Sequence, residues 1–290
     1  MAKRMKAGLT AGAIALSGLA LAGGALAAGV GQPEPWQIGM QAPATALARE
    51  MQSFHTLLMW IITAITLFVL GLIVYVAYRF NERANPTPSK TAHNTPIEIA
   101  WTIVPVLILV VIAIPSFRLL RGQLIIPPAD ITLKVVGNAW YWGYEYPADQ
   151  NGGFKFDSNP VEEKDLKPGQ PRLLTVDNEV VLPINKVVRL QITASDVMHS
   201  WGVPALGFTM DAIPGRLNEI WVKIEREGVY HGQCRELCGQ RHAYMAITVR
   251  AVSDEAYAAW LQEAKTKYAA VDPLPQAPAT RLAGAAEPTR

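Results

Sequence analysis

Val188-Arg189-Leu190-Gln191-Ile192-Thr193 alternates apolar and polar side chains without a break. That is the period of a β-strand with one face in a core and the other in water. The same period recurs on both sides of it, in Ile131-Thr132-Leu133-Lys134-Val135, Ile220-Trp221-Val222-Lys223-Ile224 and Met245-Ala246-Ile247-Thr248-Val249-Arg250. Turn residues separate the runs, as in Lys167-Pro168-Gly169 and Ile213-Pro214-Gly215. Short strands so punctuated predict an all-β sandwich or barrel of about 120 residues. Ser253 is placed to cap a short closing helix, with Asp254 and Glu255 in its first turn and Tyr257, Trp260 and Leu261 on one apolar face.

Further upstream the alternation gives way to continuous apolar sequence. From Leu57 to Ala77 only Thr63 and Thr66 are clearly polar, and no charge falls between Glu98 and Arg118, although Pro105 and Pro115 interrupt the second run. About 20 apolar residues cross the hydrocarbon core of a bilayer, so two membrane helices are expected, at about 55–78 and 97–118. The connection between them carries Arg79, Arg83 and Lys90 against Glu82, and positive loops stay in the cytoplasm. The hairpin then anchors the β-domain on the outer, periplasmic side of a bacterial inner membrane, with lipid around the helices. Lys3, Arg4 and Lys6, an uncharged stretch and Ala25-Leu26-Ala27 read as a cleaved signal peptide over 1–28. The expected division is therefore 1–28 signal, 29–121 N-terminal segment and hairpin, 122–270 periplasmic domain, and 271–290 a disordered Ala- and Pro-rich tail.

The composition agrees. Of 290 residues 50% are hydrophobic and only 17% charged, against about 25% charged in ordinary soluble domains. A net charge of +2 gives no basic footprint for nucleic acid. Two cysteines exclude a disulfide scaffold and a four-cysteine zinc cluster, and leave one disulfide or one metal site.

Both cysteines stand in Cys234-Arg235-Glu236-Leu237-Cys238-Gly239-Gln240-Arg241-His242-Ala243-Tyr244-Met245, and His199 follows a strand upstream. Thiolate, imidazole and thioether together are the donors of electron-transfer copper, whereas zinc gains little from a thioether. Two thiolates exceed the need of a mononuclear site. Two bridging sulfurs with one histidine per metal would hold two coppers, completed by Met245 and a backbone carbonyl between the cysteines. The competing reading is a periplasmic Cys234–Cys238 disulfide. His231 reads as a solvated surface histidine.

The chain resembles subunit II of the haem–copper cytochrome c oxidases. The likeness rests on Trp140-Tyr141-Trp142-Gly143-Tyr144-Glu145-Tyr146, Asp196-Val197-Met198-His199-Ser200-Trp201, Asp211-Ala212-Ile213-Pro214-Gly215-Arg216 and the Cys234–Met245 loop. It implies a cupredoxin-like Greek-key barrel holding the dinuclear copper centre CuA. The ligands would be His199, Cys234, Cys238, His242, Met245 and the Glu236 carbonyl, with the Glu236 side chain reaching magnesium at the interface with subunit I. It further implies electron entry from cytochrome c at Trp140, transfer to haem in subunit I, a proton-pathway entry at Glu98, and subunits I and III as partners. Glu145, Asp149, Asp157 and Asp196 are candidate acids for docking a basic donor.

Arg235, Arg241, His231 and Ala246 depart from the residues common at those family positions, namely Ser, Asn, an aromatic and Pro. The two arginines add positive charge beside the metals, which favours the reduced form and disfavours a basic donor unless they pair with acids such as Glu236 or Asp211. Three other readings compete. A membrane-anchored periplasmic copper carrier or metallochaperone would need fewer ligands. A quinol-oxidase subunit would lack the copper ligands, and a nitrous oxide reductase would lack the hairpin.

Overall fold

A computed structural model describes residues 31–150 and 152–270. The expected signal peptide and C-terminal tail lie outside the described residues. Two long helices, α1 (Ala46–Arg79) and α2 (Thr95–Leu124), precede a β-domain of strands β1 (Ile131–Asn138), β2 (Tyr141–Tyr146), β3 (Phe154–Ser158), β4 (Val180–Pro183), β5 (Val188–Ala194), β6 (His199–Val203), β7 (Phe208–Ala212), β8 (Asn218–Val222), β9 (Gly228–Gln233) and β10 (Ala246–Val252). Helix α3 (Asp254–Lys267) and a two-residue strand β11 (Ala269–Ala270) close the domain.

Both long helices exceed the apolar runs that announce them. At 34 residues α1 is about 51 Å long, well beyond a hydrocarbon core of about 30 Å. Its first turns therefore continue outside the apolar layer, where Thr45 caps them by accepting from the Ala48 amide. Helix α2 starts at the Asn94 cap with Pro96 in its first turn, and continues through Pro105 and Pro115. Both helices are long and apolar enough to cross a membrane. Only Leu47 and Ala48 of α1 are buried, and no residue of α2 is.

The β-domain has a six-stranded sheet in the order β11-β3-β2-β1-β5-β8, a three-stranded sheet β4-β10-β9 and a β6-β7 pair. Pairing is mixed: β1 runs parallel to β5, and β10 parallel to β4. The alternation read in 188–193 is the observed one. Val188, Leu190, Ile192 and Ala194 are buried, and outward-facing Arg189 and Gln191 both donate to Glu219 on β8, at 2.5 and 2.8 Å. The core holds Trp142, Trp201, Tyr144, Tyr146, Phe154 and Leu133, each nearly or fully removed from water. Ser253 caps α3 by accepting from Ala256, and Tyr257 and Leu261 are buried beneath it.

Hairpin and β-domain are fastened together at two roots. At the first, the Ala44 amide donates to the Ala205 carbonyl, the Thr45 hydroxyl donates to Leu206, and the Glu225 amide donates to Ala44. Arg49 forks onto both carboxylate oxygens of Glu225 at 2.5 and 3.0 Å. Gly207, at φ +83°, lies so close to Ala48 that an added Cβ would meet its backbone at 2.5 Å. At the second root the Trp221 indole donates to the Gly122 carbonyl at 3.0 Å.

Candidate metal centre

Three pieces of chain build the site: the first residue of β6, the end of β9, and the loop that joins β9 to β10. The Cys234 amide donates to the Met245 carbonyl and the Arg235 amide donates to Ser200, both at 2.9 Å. These bonds close the loop at its base and tie it to β6. A single 3-10 turn, His242–Tyr244, returns the chain to β10.

Every donor expected from the sequence converges here. The two thiols lie 3.8 Å apart, far outside the roughly 2.05 Å of a disulfide, and both are free and buried. His199 Nδ1 is 4.0 Å from Cys234 Sγ, His242 Nδ1 is 3.6 Å from Cys238 Sγ, and Met245 Sδ is 3.9 Å from Cys238 Sγ. The Glu236 carbonyl completes the ring at 3.2 Å from Cys234 Sγ. Soft sulfur, imidazole and one carbonyl, with no carboxylate oxygen among them, fit copper and not magnesium or calcium. Two thiols this close cannot both ionise cheaply. Burial opposes ionisation of Cys234, but bonds from His199 and from the loop outweigh it and bring this thiol down to about 7. Burial and then the Cys234 neighbour push Cys238 up to about 12. A bound cation would relieve this repulsion.

The two histidines are held differently. His199 is fully buried, and its Nε2 lies 2.9 Å from Asp196 Oδ1. Asp196 also accepts from the Ala139 amide at 2.7 Å and the Val197 amide at 2.6 Å. Burial pushes its carboxyl up, yet these bonds together hold it below its ordinary value. The Trp142 ring meets His199 edge-on at 5.9 Å. Gly137 lies under the imidazole, where a Cβ would come within 2.8 Å of the ring. His242 is half-buried on the 3-10 turn, and no carboxylate braces it among the described residues.

The remaining expected residues separate. Trp140 is half-buried, and its indole donates to the Cys238 carbonyl at 3.1 Å, so it touches the Cys234–Met245 loop directly. Trp142 and Tyr146 are core residues. Among the acids, Asp149 and Asp157 are exposed, and neither is in an ion pair among the described residues. Glu145 is paired with Lys134, its register partner across β1 and β2, at 2.9 Å. Asp196 is engaged on His199. Glu98 lies in the first turn of α2, where its carboxylate accepts from the Asn94 amide at 3.1 Å. The Glu236 side chain is half-buried and stands apart from any other metal-ligating cluster among the described residues.

Two readings of the sequence are corrected. His231 is buried, not solvated: its Nδ1 lies 3.0 Å from the Leu174 carbonyl and 3.3 Å from the Thr248 hydroxyl. It lies on the face of β9 opposite the core residue Tyr230, covered there by Leu174, and burial lowers its pKa. Arg241 pairs with Glu162, not with Glu236 or Asp211. The bracing role of Asp196 was missed as well. Its signal was present, since an acid three residues before a strand-initiating histidine can reach the ring nitrogen that faces away from the metal.

The chain is similar to known proteins along both its helical and its β parts. The family model for the periplasmic domain of cytochrome c oxidase subunit II matches residues 131–252, and that for its transmembrane domain matches 33–119. The chain is 53% identical to a probable cytochrome c oxidase subunit 2 of Rickettsia bellii over 82% of this chain and 88% of that one. It is 46% identical to cytochrome c oxidase subunit 2 of Cereibacter sphaeroides over 86% and 88%. Among solved structures, the periplasmic domain of subunit II of cytochrome oxidase of Bradyrhizobium japonicum is 50% identical, covers 50% of this chain and 100% of its own, and superposes with a TM-score of 0.47.

Proposed function

The chain belongs to the cytochrome c oxidase subunit II family and is part of an oxidase complex; on that premise we propose that its β-domain holds the dinuclear copper centre CuA and takes electrons from cytochrome c. The observation that carries this reading is the convergence of His199, Cys234, Cys238, His242, Met245 and the Glu236 carbonyl, with adjacent sulfur and nitrogen donors 3.6 to 4.0 Å apart. When bound, a two-copper centre held by these residues would supply a one-electron relay. The chain's own residues do the rest. The buried Cys234 and Cys238 thiols would release their protons to solvent as a metal cation binds, His199 is aimed by Asp196, and the β9–β10 base holds the loop closed.

Electron entry is assigned to Trp140, because its indole rests on the carbonyl of Cys238. Asp149 and Asp157 are the acids with carboxylates left for a basic donor, since Glu145 and Asp196 are engaged elsewhere. Electrons leave for haem in subunit I. Glu236 would contribute one ligand to magnesium there, and that site needs further ligands from the partner. The cationic 79–96 connection supports a cytoplasmic loop and a periplasmic β-domain. Glu98 then faces the cytoplasmic side as a proton-pathway entry into subunit I, with subunit III completing the complex.

The test is the EPR spectrum of the copper-loaded full chain. One electron shared equally by two copper nuclei gives seven hyperfine lines. A four-line spectrum, or one copper per chain, overturns the dinuclear reading and favours a copper carrier. Turnover of the assembled oxidase tests the other two assignments. Trp140→Phe is expected to slow cytochrome c oxidation, and Glu98→Gln to slow turnover without altering the copper signal; unchanged rates remove the respective role.

A further inference from the structure

A segment far from the copper ligands in sequence grips the loop that carries them. Residues 159–177 leave the sheet between β3 and β4 and return to it. The excursion is closed at its base by the Pro160–Val176 bridge, by the Asn159 amide donating to Asp177 at 2.7 Å, and by the Val161 amide donating to Thr175 at 3.0 Å. Its crest is held by side chains of β9 and β10. The Thr248 hydroxyl donates to the Leu174 carbonyl at 2.8 Å, and His231 Nδ1 lies 3.0 Å from the same oxygen. Gln233 donates to the Leu173 carbonyl at 3.2 Å and to Ala243 at 3.1 Å, so one amide joins the excursion to the turn that bears His242. Leu173 sits at φ +64°, a left-handed conformation that a leucine seldom adopts unless its surroundings hold it there. So fixed, the excursion delivers Glu162 to the guanidinium of Arg241, next to His242 in the chain. The Arg241 guanidinium also lies over the Tyr244 ring at 5.8 Å.

We propose that Glu162 is a positioning residue for the copper site, acting through Arg241 on the turn that presents His242 and offsetting at the metals the charge of that arginine. The inference rests on the copper reading above. His199 needs no such help, because Asp196 and the core hold it. His242 has no carboxylate of its own among the described residues, so its placement depends on the turn. An ion pair between two half-exposed side chains adds little to global stability, but this one acts one residue from a ligand. His231 belongs to the same device. An aromatic hydrocarbon ring there would fill the space but would have no ring N–H to give the Leu174 carbonyl.

The experiment uses the full chain in the assembled oxidase, with Glu162→Gln and Glu162→Asp each made alone and in an Arg241→Asn background. Three quantities are read: the midpoint potential of the copper centre, the rate of copper loss to a chelator, and amide exchange over 241–245. Glu162→Gln should raise the potential, because an unpaired cation favours the less positive, reduced centre. It should also speed copper loss by about two- to fivefold, the scale of one half-exposed ion pair, and speed exchange over 241–245. Glu162→Asp should restore all three, and Glu162→Gln should change nothing further once Arg241 is Asn. Unchanged potential and copper loss in Glu162→Gln, or the same shifts in the Arg241→Asn background, would overturn the proposal. If the unsubstituted chain holds no copper, the functional reading fails instead. The clamp is then decided by amide exchange alone, faster in Glu162→Gln supporting it and equal exchange refuting it.

Discussion

The two halves of the candidate metal centre are built on opposite terms. The His199 half is assembled from a buried strand end, with an acid behind the ring, an indole at its edge and a glycine beneath it. The His242 half hangs on a single 3-10 turn near solvent, steadied by an ion pair and one glutamine. One half is held by the core, which tolerates little displacement. The other is held by surface contacts, each of which can be adjusted without unfolding anything. Ligand rigidity therefore resides on one side, and freedom to tune the centre on the other.

Substitutions under the buried half should be the most damaging. Gly137→Ala sets a methyl within 2.8 Å of the His199 ring, so either the ring or β1 must move. Copper affinity is expected to fall by about 100-fold, the upper end of effects from residues that orient a ligand. A chelator titration at native-like circular dichroism checks it, and a loss under about fivefold would mean that the core yields more than its packing suggests. Asp196→Asn keeps the shape but weakens the acceptor for the imidazole. It should cost about tenfold in copper affinity, and an unchanged titration would show that burial alone holds the ring. The smallest effect is expected on the exposed side, from Glu162→Gln. If that variant outweighed Asp196→Asn in the same titration, the contrast between the halves would be reversed.

The hairpin and the β-domain were open to reading in different degrees. The alternation in 188–194 announces β5 because each inward residue has only its own strand to obey. The ligand spacing from Cys234 to Met245 is equally local, since one loop supplies most of the donors. The ends of α1 and α2 were not legible, because caps such as Thr45 and Asn94 lie beyond the apolar runs that mark a membrane span. The braces were not legible for another reason. Glu162 meets Arg241 across 79 residues of sequence, and no periodicity encodes such a meeting. His231 looked like a surface residue for the same reason, since the carbonyl that makes its burial tolerable belongs to a separate excursion of the chain.

The two roots that join the β-domain to the hairpin have a consequence for the tempo of the relay. A head fastened beside Gly207 at one point and by the Trp221–Gly122 bond at another is restrained from swinging freely on the hairpin. Metals bound as proposed would keep a near-constant height and heading over the bilayer. In a chain that works as proposed, nothing here shuttles. The donor must arrive, discharge and depart at a stationary berth, and traffic at that berth would set the pace.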